Sequence, residues 1–144
     1  MFSKATEYGI KAMMYIAVKT RNGERVGVKE IAKNIDAPVH FTAKILQELC
    51  RKNLLHSAKG PNGGFYLDSA DLKTPLGKIV KTLDGDRFYN TCVLGLKACS
   101  HKNPCPVHHE FKVIKEKIID MLEKNTIGSF NTELINKNFF LKMK

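Results

Sequence analysis

A chain of 144 residues with 43% hydrophobic content is long enough for one domain with a true core and too apolar for wholesale disorder. Its formal charge of +10, from 24 Lys and Arg against 14 Asp and Glu, makes a polyanion the expected large partner. Ala12 to Val18 is the longest early apolar run, far short of the ~18 residues that span a bilayer, so a cytoplasmic chain with no membrane partner and no cleaved leader is expected.

Ser3 stands where it can cap a first helix reaching Lys19 or Thr20, with Glu7 in the early turns where the helix dipole favours an acid. Ala5, Tyr8, Ala12, Met13, Ile16 and Ala17 are expected to form its apolar side. Arg21-Asn22-Gly23-Glu24 reads as a turn, and Val26 as a brief strand pairing with a later hairpin. Val28, Ile31, Ala32 and Ile35 then recur at i, i+3, i+4 and i+7, the spacing of a short amphipathic helix that Asp36-Ala37-Pro38 ends. A second helix begins near Pro38 or Val39. It is expected to bury Phe41, Ile45, Leu46, Leu49 and Cys50, and to leave His40, Ala43, Lys44, Gln47 and Arg51 facing outward. Two short segments, Leu54 to Lys59 and Phe65 to Leu67, flank Gly60-Pro61-Asn62-Gly63-Gly64 and predict a glycine-tipped hairpin with Lys59 at its foot. Helix, helix and basic hairpin form the winged helix-turn-helix pattern, in which one helix enters a major groove and the loop reaches phosphate or minor groove.

Asp68 to Lys73 is a polar connector, after which Thr74 is expected to cap a helix whose first position is Pro75. Leu76, Ile79, Val80 and Leu83 make that helix amphipathic, and Gly85 stops it. Asp86 to Pro106 reads as a long irregular segment, a length that in a compact domain usually serves function. The last long helix is expected from about Val107 to Lys124. Its seam of Val107, Phe111, Ile114, Ile118 and Met121 alternates spacings of four and three, while Lys112, Lys115, Glu116, Lys117, Asp120 and Glu123 face away. The seam serves either its own domain or a second copy. Asn131 to Asn138 adds a short helix, and Asn136 to Lys144 reads as a frayed basic tail. The expected architecture is therefore mainly α with a small β-hairpin wing, in one compact unit. Residues 1–85 form the DNA-binding part, 86–106 the cysteine loop, and 107–144 a dimerisation helix and tail.

Cys92, Cys99 and Cys105 are separated by six and five residues, with His108 and His109 close behind. Thiolates with an imidazole suit zinc or an iron-sulfur cluster. The tight C-x2-C pairs common in zinc sites are absent, whereas wider spacing on one loop can wrap a larger cluster. Free or redox-active thiols are the remaining alternative. Cys50 belongs to the buried side of the second reading helix and is expected to be a core residue. No paired base, phosphate loop or substrate constellation accompanies the cysteines, so an enzyme is not expected.

Glu7-Tyr8-Gly9 with Ala12, Lys29-Glu30-Ile31-Ala32, Lys44-Ile45-Leu46 with Leu49, and Ser57 through Phe65 together resemble the Rrf-two-type bacterial transcription regulators, the IscR/NsrR-like iron-sulfur winged-helix proteins. The resemblance covers nearly the whole chain. It implies a homodimer on double-stranded operator DNA, with dimer helices meeting at Phe111, Ile114, Ile118 and Met121. It also implies an iron-sulfur cluster, a two-iron form ahead of a four-iron one, on Cys92, Cys99 and Cys105. The fourth ligand would be His108 or the partner's Glu7, and the signal redox state, nitric oxide or cluster supply. Two reading heads about 34 Å apart would read sequence with His40, Ala43, Lys44 and Gln47. Lys59 and Asn62 would meet the minor groove or backbone, with Ser3 and Lys4 on phosphate. Structural zinc with no cluster is the alternative.

Overall fold

Ser3 opens the first helix, α1 (Lys4–Thr20), by accepting the Thr6 N–H on its hydroxyl at 3.2 Å. In the computed structural model, which describes residues 1–143, the chain continues through α2 (Val28–Ile35), α3 (Val39–Arg51), β1 (His56–Ala58) and β2 (Gly64–Tyr66). It then forms α4 (Leu76–Asp84), α5 (Arg87–Asn90), α6 (His108–Lys124) and α7 (Asn131–Ile135). The mainly helical architecture with a two-stranded antiparallel wing is as expected. Among the described residues no helix is long and apolar enough to cross a membrane.

The buried side of α1 is Thr6, Gly9, Ala12, Met13, Ile16 and Ala17, while Ala5 and Tyr8 lie half-buried at its edge. Gly9 is there for space: a Cβ would run into Leu83 of α4 and approach Ile45 of α3 to 3.4 Å. Three helices therefore meet at that point. Ile31, Ala32 and Ile35 of α2 and Ile45, Leu46 and Leu49 of α3 complete the core, with Ile79 and Val80 of α4. Asp36 leaves α2 in the left-handed region (φ 54°), and Lys11 donates to the Ile35 carbonyl at 3.0 Å, closing that helix end.

Two expectations for α3 are corrected. Thr42, not Phe41, faces the core, because 42, 45/46 and 49 share the stripe and the Thr42 hydroxyl is satisfied by the Pro38 carbonyl at 2.8 Å. Phe41 is 37% exposed and sits edge-on to Tyr8 with centroids 5.7 Å apart. Cys50 is half-buried rather than fully enclosed.

The wing pairs His56 with Tyr66, Ser57 with Phe65 and Ala58 with Gly64, and Val26 bridges to Phe65 as expected. Gly64 has φ +142°, and a Cβ on it would come within 2.9 Å of the Val26 backbone. Gly64→Ala is expected to separate the wing from Val26 at a cost of about 1–3 kcal/mol, read as a lower urea midpoint.

Beyond the wing, four expectations change. Pro75 precedes α4 instead of starting it, because residues 74–76 pair with the segment after α6: Leu76 N–H donates to Asn125 O at 3.0 Å and Ile127 N–H to Thr74 O at 3.0 Å. The segment 86–106 begins with the short α5. Lys115, expected to face solvent, is buried; the side of α6 that meets its own domain runs through His108, Lys115, Ile118 and Leu122. Finally, the tail folds back. Asn138 N–H donates to Glu133 O at 2.8 Å, Phe139 lies 5.9 Å from Phe130, and Lys142 reaches the Lys33 carbonyl at 3.2 Å. Lys144 lies outside the described residues.

Candidate functional site

The outer side of α3 presents His40, Lys44 and Gln47 to solvent with Ala43 half-exposed among them, four positions within one stripe. Its inner side is locked by Ile45, Leu46 and Leu49, so the outward side chains project from a rigid element. The wing loop carries exposed Lys59 and Asn62, and its turn is closed by the Gly63 N–H donating to Gly60 O at 2.9 Å. Arg25, which no periodicity marks, adds a second cation beside the wing by lying 5.2 Å from the Tyr66 ring.

At the start of α1 the geometry differs from expectation. The Ser3 N–H donates to Asp84 Oδ2 at 3.1 Å and its hydroxyl donates to Asp84 Oδ1. Burial works against ionisation of Asp84, but the Ser3 hydroxyl and N–H, the Thr6 hydroxyl and the Arg87 charge outweigh it and hold the carboxyl below its ordinary value. Ser3 is thus engaged by an anion of the chain itself. Lys4 keeps an exposed ammonium, paired with Glu7 at 3.0 Å. Glu7 therefore makes its ion pair within α1.

The cysteine loop converges on the start of α6. Cys92 and Cys105 are buried, Cys99 is half-buried, and all are free thiols. His108, 3% exposed, has Nδ1 3.3 Å from Cys99 Sγ and Nε2 3.2 Å from His101 Nδ1. Backbone N–H groups of Leu96 and Leu94 converge on Cys92 and, with Gly95 and the Cys105 thiol, hold it below its usual value against burial. Cys105 is pushed up, first by burial and then by Cys92 and Cys99, with the Val107 N–H opposing. Burial, followed by the charges of His101, His109, Lys112 and Lys115, pushes His108 down, toward the neutral form that ligates metals. Lys115 Nζ lies 3.4 Å from the Thr91 carbonyl, beside Cys92. This donor set fits a thiolate-ligated group: three thiols, with ionisation of Cys92 favoured, and an imidazole pushed toward its neutral form, in basic surroundings. A single tetrahedral zinc would hold its ligand atoms roughly 3.8 Å apart. Among the described residues no three of these atoms lie within 4.8 Å of one another.

The family model described as Rrf2, iron-dependent transcriptional regulator, matches residues 2–133. The chain belongs to the Rrf2 family. A relative from Aquifex aeolicus described as an HTH-type transcriptional regulator is 37% identical over 131 residues, covering 88% of each chain. NsrR of Bacillus licheniformis is 24% identical over 123 residues, covering 85% of each chain. IscR of Yersinia pseudotuberculosis is 23% identical over 136 residues, covering 94% of this chain and 79% of its own. Among solved structures, CymR, the global cysteine regulator of B. subtilis, superposes with a TM-score of 0.71 at 20% identity, covering 92% of this chain and 96% of that one. T. potens IscR gives 0.71 at 20% identity, covering 96% and 91%. The Rrf2 chain is thus a DNA-binding transcriptional regulator with a non-enzymatic role, on the winged-helix fold of these neighbours.

Of the residues expected at the metal centre, the fold gathers Cys92, Cys99, Cys105 and His108 around the N-terminus of α6. Residue type and spacing gave no signal for His101 or Lys115. His101 lies seven residues before His108 across an irregular loop, and lysines on a helix are normally solvated, so only the folded chain brings them in.

Proposed function

We propose that this Rrf2 regulator is a homodimer whose DNA affinity is set by an iron-sulfur cluster on Cys92, Cys99 and Cys105, with His108 as the fourth ligand in place of the partner's Glu7. The observation that carries the reading is His108: buried, within 3.3 Å of a loop cysteine, held from behind by His101, and pushed by its surroundings toward the neutral form. When bound, the cluster supplies one-electron and oxidant- or nitric-oxide-sensitive chemistry, and a two-iron form is taken ahead of a four-iron one, as the resemblance implies. The protein's part is mechanical. Thiolate ligation fixes residues 92–105, which otherwise cost conformational entropy to order, and so sets how α6 leaves the loop.

The dimer reading rests on the outer side of α6. Ile114 and Met121 are 54% and 42% exposed, one helical repeat of seven apart, with Val107 in line and Val113 beside them. Paired along that stripe, two copies would carry two α3 helices to successive major grooves about 34 Å apart. Base readout is assigned to His40, Ala43, Lys44 and Gln47, and backbone or minor-groove contact to Lys59, Asn62 and Lys4. Ser3 serves by holding the end of α1.

The experiment is DNA binding by anaerobically purified protein with and without its iron, on a selected operator and on random duplex. Loss or exchange of operator preference on iron removal is expected, and an unchanged preference would reject cluster control. In the same assay Lys44→Ala should cost about 1–3 kcal/mol on the operator only. Lys59→Ala should weaken all sequences alike and flatten the salt dependence. Affinity indifferent to salt and to both substitutions would reject this reading surface.

A further inference from the structure

A second cluster of ligating side chains lies at the root of the wing, supplied by segments remote from the cysteine loop in sequence. His56, the first residue of β1, turns its Nε2 toward two carboxylates that follow β2: Asp71 Oδ2 at 2.9 Å and Asp68 Oδ2 at 3.5 Å. The three donor atoms lie within 4.8 Å of one another, and no other His, Cys, Asp or Glu group among the described residues does so. Nitrogen and oxygen ligands about 2.0–2.2 Å from a tetrahedral ion stand roughly 3.3–3.5 Å apart. The trio needs only small adjustments to reach that geometry.

Each donor is also held in place. The His56 ring stacks on Tyr66, with centroids 5.3 Å apart and planes 26° apart, which directs Nε2 toward the carboxylates. Asp71 Oδ2 accepts the Asp68 N–H at 2.8 Å, and its side chain is only 18% exposed. Asp68 is open to solvent at 65%, which leaves room for a water or exchangeable ligand. An ion pair with His56 needs only one carboxylate. A second one beside it is a like charge that a protonated imidazole offsets only in part, whereas a divalent cation neutralises both.

We propose that His56, Asp68 and Asp71 bind a divalent first-row transition ion such as Zn2+ or Mn2+. One imidazole and two carboxylates suit these ions, while an imidazole disfavours Mg2+ and Ca2+. His56 belongs to β1, and both aspartates belong to the connector that runs from β2 to α4. A bound ion ties the wing to the helix core and stabilises the folded state by mass action.

The test is independent of what the cysteines hold. Zn2+ is titrated calorimetrically into the full chain carrying Cys92→Ser, Cys99→Ser and Cys105→Ser, with circular dichroism checking the fold. In parallel, Mn2+, which thiolates bind poorly, is titrated into the native chain and followed by electron paramagnetic resonance. One ion per chain is expected in each arm. His56→Ala and Asp71→Asn should each weaken it by about tenfold or more, since even outer-shell changes cost that much. Should the triple variant fail to fold, the Mn2+ arm decides. Absence of binding at sub-millimolar ion, or binding untouched by both substitutions, overturns the proposal.

Discussion

A chain carrying Ile114→Glu and Met121→Glu is expected to sediment as a monomer at micromolar concentration, where the native chain sediments as a dimer. It should also lose about a hundredfold or more in affinity for a two-half-site operator. Both side chains are exposed on the outer face of α6, so the substitutions place charges in the proposed interface without touching the core. Ile118 is a poorer probe, because it packs against the buried core and a charge there would also unfold its own domain. Affinity for a single half-site should survive, since α3 and the wing are untouched. A native chain that sediments as a monomer at the same concentration would remove the dimer from this account.

The second large effect is expected in the cysteine loop. Cys92→Ser and Cys105→Ser should each abolish the visible absorbance of anaerobically purified protein, because both cysteines are buried where the two ends of the loop meet α6 and ionisation of Cys92 is favoured. Cys99→Ser should do the same. His108→Ala should retain a cluster that is lost faster, as a weaker ligand takes the imidazole's place, and His101→Ala should shift the spectrum less by freeing His108 to rotate. Glu7→Ala should leave the absorbance unchanged, since Glu7 pairs with Lys4 at 3.0 Å and the proposed fourth ligand is His108. Absorbance that depends on Glu7 and not on His108 would reverse that assignment.

Much of the fold was legible in the sequence because α2 and α3 bury narrow apolar stripes and the wing carries a cluster of glycines that marks its turn. Ser3 as cap and Gly85 as helix stop follow from local chemistry alone, and Val26 as a bridge from its place as a short apolar element before the first reading helix. The exchange of Phe41 for Thr42 was hidden because both lie near the stripe; tertiary packing chose the smaller residue, whose hydroxyl bonds back to Pro38. Lys115 was hidden for a related reason. Its ammonium reaches the Thr91 carbonyl only once the loop and α6 have met, so no spacing in the chain announces it. The α4 start moved by one residue because residues 125–127 pair with 74–76, a contact between distant segments. For the candidate site, residue type and spacing pointed to the three cysteines with His108 or His109, and the family resemblance to His108 or Glu7 as fourth ligand, but neither pointed to the imidazole behind His108 or the Asp84 carboxylate on Ser3. Those depend on which loops the core brings together.

An iron-sulfur cluster on the Cys92–Cys105 loop differs from a single zinc ion or bare thiols in what each chain must contain. Iron, acid-labile sulfide and zinc, measured per chain on one anaerobic preparation from iron-replete cells, separate the three. Stoichiometric iron and sulfide that disappear together in Cys92→Ser are expected; stoichiometric zinc at the cysteine loop with no sulfide would rule the cluster out.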